Sequence, residues 1–272
     1  MENISGSIGY TFLKNLDINR IILVLSDRHD KIIGCSPDSE SSEISDWISE
    51  NLDSSKILLE EVPRNKVVLE ELWKGSSHTQ NLKNLFLSNP EKITPVDIRP
   101  YLIEFSWELI NSDPSYNLKL IQYFREFDNF MALKNNFVQS ILKNYNVESL
   151  NNMALGAHFI SIKNKYKLFI YRNKKFLKID LIHIYNNNIE ILEDFNDLLN
   201  DTMEWYICAC IQLHDKPIIL HTGLAHSEHV VKLLIQYYNY KIIESNGVNH
   251  LNDTHPNIIG CIQLPDRIGN LF

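Results

Sequence analysis

Residues 21–30 read IILVLSDRHD: an aliphatic run from Ile21 to Leu25, then Ser26, Asp27, Arg28, His29 and Asp30. An unbroken aliphatic stretch of this length predicts a strand covered on both faces, because a half-exposed strand would alternate apolar and polar residues. The abrupt change to polar residues marks where the strand ends. The pattern recurs in KILLEEV at 56–62, in KITPVDI at 92–98 (stopped by Arg99-Pro100), and in IILHTG after Lys216-Pro217. Helical spacing fills the intervals. DSESSEISDWISENL at 38–52 has cap residues followed by Ile44, Trp47, Ile48 and Leu52. VVLEELWKGSSHTQNLKNLFLSN at 67–89 gives one or two helical pieces broken near Gly75, HSEHVVKLLIQYY at 226–238 a helix, and YKIIE at 240–244 a short strand. This alternation predicts an α/β fold: a central, mostly parallel sheet with flanking helices and right-handed crossovers.

The middle of the chain departs from that rhythm. Residues 101–150 carry helical periodicity, with Phe105, Leu109, Leu118, Ile121, Phe124, Phe127, Phe130, Met131, Phe137 and Ile141 on the expected buried faces. Between 151 and 186, YKLFIY and FLKIDLIHIY fit either two strands joined at Asn173 or the ends of helices. Residues 189–213 return to helix, with Ile189, Leu192, Phe195, Leu198, Leu199, Met203 and Tyr206 stepping by three and four. The tail from 246 is loop-rich apart from NIIGCIQL. No internal repeat or linker forces a boundary. The expected organisation is one α/β domain over 1–272 with a helical insertion at about 101–186.

Composition narrows the partners. The chain of 272 residues carries a formal charge of −8 and a pI near 5.7, the wrong sign for gripping phosphate backbones, so nucleic acid is not the expected partner. No basic start leads into an apolar run, and the longest apolar runs, near IILVL, KLFIY and WYICACIQL, fall short of the roughly 20 residues of a membrane span. A cytoplasmic chain with no membrane partner is expected. Four cysteines do not make a disulfide framework, and Cys208 and Cys210 read as buried small apolar groups. About 30 asparagines, with many Ile and Lys, point to an AT-rich genome such as that of a protist, an intracellular parasite or a large DNA virus, and hence to a host cytoplasm or virion if viral.

In an open parallel sheet, ligands bind outside the carboxyl ends of the strands. Each of the four best strands ends there in ionisable groups: Asp27, His29 and Asp30; Glu60 and Glu61; Asp97 and Arg99; His221 and His226. His29 is a candidate general base or metal ligand, flanked by Asp27 and Asp30, since histidine titrates near neutrality. Of the two glutamates, Glu60 is expected to face the crevice. Asp97 and Arg99 either support the site or pair with each other. His226 opens a helix after Gly223, where the helix terminus favours a neutral imidazole. His229 lies one turn further on a similar face. Ser227 and Glu228 suit ordinary capping roles. The phosphate-cradle, dinucleotide-binding and nucleophile-elbow motifs are all missing, which disfavours P-loop enzymes, nucleotide-binding Rossmann domains and α/β-hydrolases.

Taken in order, these motifs resemble those of the superfamily of TraB/Tiki-like proteins, ChaN-like haem-uptake proteins and erythromycin-esterase-like hydrolases. LSDRHD stands where those proteins carry Gly-Glu-x-His or Gly-x-x-His after the first strand, with Ser26 for the Gly, Asp27 for the Glu and His29 for the His. Glu60 or Glu61 in KILLEEVP matches the acid that ends their next strand, Asp97 in VDIRP matches a later one, and Gly223 and His226 in HTGLAH match their final Gly-x-x-His. The resemblance covers about 21–100 and 190–245. Three departures stand out: Ser26 and Asp27 in the first motif, and Thr202 where TraB-like members often carry an Arg.

The resemblance implies a hydrolase of peptidase or esterase type acting on a peptide or small molecule. His29 or His226 would activate water, alone or through a divalent metal (Mn, Co or Zn) held by Asp27, His29, Glu60 and His226. Catalysis would fall to His29, Glu60 and His226, with Asp30, Asp97, Arg99, Gly223 and His229 in support. The rival expectation is a non-catalytic binding or structural protein, such as a virion or host-interaction component with a protein partner, that keeps the fold without the chemistry. A third, a small-molecule or haem binder, would show a deep apolar pocket beside the same edge.

Overall fold

The structure is a computed structural model and describes residues 1–28, 33–62, 77–105, 109–110, 117–134 and 154–272. It is mixed α/β and divides into two compact units, one comprising residues 1–61, 73–96 and 210–272, the other 62–72 and 97–209.

The first unit is built on a six-stranded sheet. Its strands are β2 (Gly9–Asn15), β3 (Ile21–Asp27), β5 (Lys56–Leu59), β6 (Ile93–Pro95), β7 (Ile218–Gly223) and β8 (Tyr240–Gly247), in the order β6-β5-β7-β3-β2-β8. The four strands from β6 to β3 are parallel, and β2 and β8 add antiparallel partners on one side. The aliphatic runs at 21–25 and 218–220 become the middle of the sheet, with Ile22 to Leu25 and Ile218 to Leu220 fully buried. A second sheet, β4-β1-β9, joins β1 (Glu2–Ser5), β4 (Ser41–Glu43) and β9 (Cys261–Leu264). Ile4, Ile262 and Leu264 from this small sheet share a core with Leu23, Leu25, Ile57 and Ile219 of the large one, and with Trp47 and Ile48 of helix α1 (Ile44–Glu50). Helix α2 (Ser77–Ser88) adds Leu82 and Phe86.

Strands β1 and β2 are not legible in the sequence, because ENIS and GYTFLKN lack the unbroken aliphatic run that marks β3 and β7. Strands β5 and β6 are shorter than their apolar runs, because pairing stops at Leu59 and Pro95. The piece of the expected 67–89 helices up to residue 76, and the expected break at Gly75, lie outside the described residues.

The second unit is helical among the described residues: α3 (Leu120–Tyr123), α4 (Arg125–Met131), α5 (Ala154–Arg172), α6 (Leu181–Asn187) and α7 (Glu190–Gln212), whose last residues fall in the first unit. Of the ambiguous stretches, YKLFIY lies within α5, where Tyr166 and Phe169 meet an aromatic core rather than a sheet, and LIHIY lies within α6, while residues 173–178 between them form turns. Phe195 sits at the centre of that core, with ring centroids 4.4 Å from Phe124, 5.2 Å from Phe127 and 5.9 Å from Phe169. Phe124, Phe127, Phe130 and Met131 are buried as their spacing predicts, but Ile121 is 47% and Ile189 37% exposed. Ile121 lies in the first turn of α3 and Ile189 immediately before α7, so both stand at the edge of the apolar periodicity. Phe137 and Ile141 lie outside the described residues.

Cys208 and Cys210 are buried thiols outside any disulfide, as expected for small apolar groups. Cys35 and Cys261, which no spacing pattern pairs, form a disulfide across 226 residues. Among the described residues, no helix is long and apolar enough to cross a membrane.

Candidate functional site

Strand register brings the candidate residues of the first unit to one edge. Parallel pairing sets Leu25 and Leu59 beside His221, and Asp27 beside Gly223. Glu60 follows one residue past the end of β5, and its N–H donates to the His221 carbonyl at 3.1 Å. Helix α8 (Leu224–Tyr238) starts immediately after β7, with Gly223 as its N-cap, and places His226 third in the helix. The helix ends on Asn239 in the left-handed conformation (φ 57°), which asparagine tolerates better than most residues.

The centre of the site is the Glu60 carboxylate. Its Oε2 accepts the Gly223 N–H at 2.7 Å, and its Oε1 lies 3.7 Å from Nε2 of His226. Both side chains are shielded, 7% exposed for Glu60 and 11% for His226. A carboxylate against the first N–H groups of a helix is favoured by the helix dipole and by the donors left over there. On the same strand–helix junction, the Thr222 and Ser227 hydroxyls lie 2.8 Å apart, and Ser227 Oγ also donates to the Thr222 carbonyl at 3.1 Å. These buried bonds fix the first turns of α8 to β7 and so fix where His226 stands. Asp27 is fully buried, and its Oδ1 accepts the Arg28 N–H at 2.6 Å.

The structure thus brings Glu60, Gly223 and His226 together and sets Asp27 beside them in register. His229 is exposed. His29 and Asp30 lie outside the described residues. Asp97 and Arg99 belong to the second unit, where they pair with each other in a fork: Arg99 Nε to Asp97 Oδ1 at 2.8 Å and Nη2 to Oδ2 at 3.0 Å. Arg99 Nη1 also donates to Asn200 Oδ1 on α7 at 3.0 Å. Thr202, at the position where TraB-like members often carry an Arg, is buried and donates its hydroxyl to the Leu198 carbonyl at 2.7 Å.

One packing partner of α8 was invisible in the sequence. Residues 248–260, between β8 and β9, run along α8. The Leu251 N–H donates to Glu228 Oε2 at 2.8 Å, Lys232 Nζ to Glu228 Oε1 at 2.6 Å, and His250 Nδ1 lies 3.6 Å from that oxygen. The Lys232 bond and the Leu251 N–H hold the Glu228 carboxyl well below its usual range, at about 2. Glu228 thus ties this stretch down rather than merely capping a helix. Lys232 is a local i,i+4 partner, but His250 and Leu251 lie more than 20 residues from Glu228, so no local pattern announces them.

Among the described residues, no three His, Cys, Asp or Glu side chains group as a metal would need. Of the expected ligand set, Glu60 and His226 are adjacent, fewer than the three protein ligands typical of a catalytic zinc. A cavity of about 530 Å³ opens at the other end of the sheet, lined by Phe12, Arg20, Ile21, Pro217, Ile243 and Leu271, where β3 and β7 begin. No family model, curated protein or solved structure matches the chain.

Proposed function

We infer that this chain is a hydrolase of peptidase or esterase type, with its site at the carboxyl ends of β5 and β7. The observation that carries the reading is the shielded Glu60 carboxylate shared between the Gly223 N–H and the His226 imidazole. Glu60 faces Nε2, so it favours the tautomer with the proton on Nε2 and the lone pair on Nδ1, the nitrogen that would take a proton from water. It also stabilises the imidazolium that results. The 3.7 Å separation is long for a hydrogen bond and would tighten when substrate excludes solvent. The order of motifs that resembles the TraB/Tiki, ChaN-like and erythromycin-esterase-like superfamily supports hydrolysis as the reaction class. If His29 joins Glu60 and His226, the same edge would hold a divalent cation, which would polarise the substrate carbonyl or the attacking water.

A second reading has its own support. A carboxylate on the N-cap N–H of a helix is also what a purely structural cap requires, and the mutual Asp97–Arg99 fork leaves those two groups satisfied without a ligand. On that reading the protein binds a partner and catalyses nothing.

A panel of chromogenic esters and peptides, assayed with wild type, His226→Ala and Glu60→Gln, separates the two. The hydrolase reading expects turnover that falls by about 10²-fold or more in His226→Ala, with an unchanged melting temperature. Activity retained in His226→Ala would refute the assignment, and no turnover from wild type with any substrate favours the structural reading. Running the panel with Mn²⁺, Co²⁺, Zn²⁺ and chelator shows whether a cation takes part.

A further inference from the structure

Helix α5 is apolar on two faces. Its inward face carries Phe159, Tyr166 and Phe169, which are buried among the aromatic rings of the second unit. Its outward face carries Ile160, Leu168 and Tyr171. Leu168 and Tyr171 stand eight and eleven residues after Ile160, so the three line one side of the helix. They are 44%, 47% and 68% exposed. Exposed apolar side chains are ordinary when scattered singly. Three along one side of one helix, rimmed by polar groups, mark a surface that meets a partner.

The same stretch is cationic. From Ala154 to Ile179 the sequence has six Lys, one Arg and no Asp or Glu, in a chain whose formal charge is −8. Lys163 and Lys167 fall three and seven residues after Ile160, beside the apolar stripe, and Arg172, Lys174, Lys175 and Lys178 cluster where the helix ends. Lys165 pairs with Asp201 at 2.7 Å. The other six cations pair with no carboxylate among the described residues. Two of them lie over aromatic rings instead, Lys174 Nζ 5.2 Å from the centroid of Tyr171 and Lys175 Nζ 4.7 Å from that of Phe176. The helix dipole accounts for cations at the last turn, but not for Lys163 and Lys167 in the middle of α5.

We propose that the outward face of α5, with the turns that follow it, docks on a membrane surface that carries anionic lipids. The helix lies along the surface. Ile160, Leu168 and Tyr171 enter the boundary between headgroups and acyl chains, where their apolar area leaves water. Lys163, Lys167 and Arg172 flank them, rest their aliphatic stems on the same boundary and extend their charges to the headgroups. Both halves of the surface then have a use. Nucleic acid, the other common polyanion, would take up the cations and stack on Tyr171, but offers nothing to the aliphatic Ile160 and Leu168. A helix lying along a membrane needs no spanning run, so the short apolar runs of this chain do not exclude it.

The test uses the full chain with vesicles of phosphatidylcholine alone or mixed with phosphatidylserine, and reads bound protein by co-sedimentation. Binding is expected on the anionic vesicles, about tenfold or more tighter than on the neutral ones, and should weaken as salt rises. Lys163→Glu/Lys167→Glu reverses two charges beside the stripe and should weaken binding by about tenfold or more. Leu168→Ser/Tyr171→Ser keeps every cation and should also weaken it by about tenfold, with little change in melting temperature because both side chains already meet solvent. Labelling of wild type with an amine-reactive reagent should show Lys163, Lys167 and Lys174 shielded by the anionic vesicles, and this measurement decides if a variant fails to fold. Five results would each overturn the proposal: no binding to the anionic vesicles, equal binding to the neutral ones, binding that Leu168→Ser/Tyr171→Ser leaves unchanged, shielding of lysines elsewhere but not of these three, or equal or tighter binding to an oligonucleotide or to polyglutamate at the same salt.

Discussion

The two units bury polar groups in opposite ways. In the sheet unit the central strands are aliphatic inside, and five of the unit's buried polar residues, Ser26, Asp27, His221, Thr222 and Ser227, gather where β3 and β7 stop. There the backbone leaves one regular ladder before the next begins, so loose N–H and C=O groups need partners. In the helical unit the interior is aromatic, and His158, Thr202 and Glu204 are buried within helices α5 and α7 rather than at their ends. Thr202 is absorbed locally, bonding back to the Leu198 carbonyl, and the neighbouring Trp205 Nε1 donates to the Leu155 carbonyl at 3.1 Å. Buried polarity is thus a candidate for chemistry in the first unit and a packing detail in the second.

If that contrast is right, the largest effects in the helical unit come from aromatic truncation. Phe195→Ala should cost about 3–5 kcal/mol, because the ring is 1% exposed and packs on four others, and the cavity left behind cannot collapse fully. The comparable change in the sheet, Leu23→Ala, should cost about 2–5 kcal/mol. Urea unfolding at 25 °C measures both, and a Phe195→Ala cost below about 1 kcal/mol would remove the aromatic cluster from the core.

His158 gives the next effect, through pH. Burial pushes its imidazole down from an ordinary 6.5 to about 4, against a smaller opposing pull from Glu204. Between those two values the unfolded chain binds a proton that the folded one refuses, so stability falls as pH drops from 6.5 toward 4 and is unaffected above that window. The full penalty is at most about 3 kcal/mol. Urea unfolding across this range should show a shallower slope in His158→Asn than in wild type. Equal slopes would mean that His158 is not held neutral by its surroundings.

The sequence made the sheet unit legible wherever burial on two faces forces an unbroken aliphatic run, as at 21–25 and 218–220. It failed at β2, whose GYTFLKN mixes polar and apolar residues although nearly all of it is buried. The reason is tertiary. Thr11 and Asn15 are buried with specific partners, Asn249 and the Tyr238 carbonyl, that no local pattern predicts. For the site, Glu60, Gly223 and His226 were legible because each sits directly after a strand, where position alone fixes location. The packing of 248–260 along α8 and the Cys35–Cys261 bond were not, because they join residues far apart in sequence through contacts that leave no periodic trace. YKLFIY, a strand or a helix by its own composition, was decided by the aromatic partners waiting for Tyr166 and Phe169.

The smallest expected effects give the sharpest comparison, since they set the same chemical group in the two environments. Thr202→Val removes a hydroxyl and keeps the shape. The Leu198 carbonyl that it bonded retains its place in the backbone ladder of α7, so nothing buried is left unsatisfied and the cost should stay below about 1 kcal/mol. Ser227→Ala also removes one hydroxyl, but here the buried Thr222 Oγ1 loses the group 2.8 Å away and the lock between β7 and α8 is released. That change should cost about 1–3 kcal/mol. It should also move His226, one residue earlier, relative to Glu60, so that any turnover falls with the stability while the fold persists. Thermal unfolding of the two variants side by side, with the ester and peptide panel run on each, tests the difference. Equal small costs and unchanged turnover in both would mean that the strand-end hydroxyls are packing details too, and the contrast between the units would be lost.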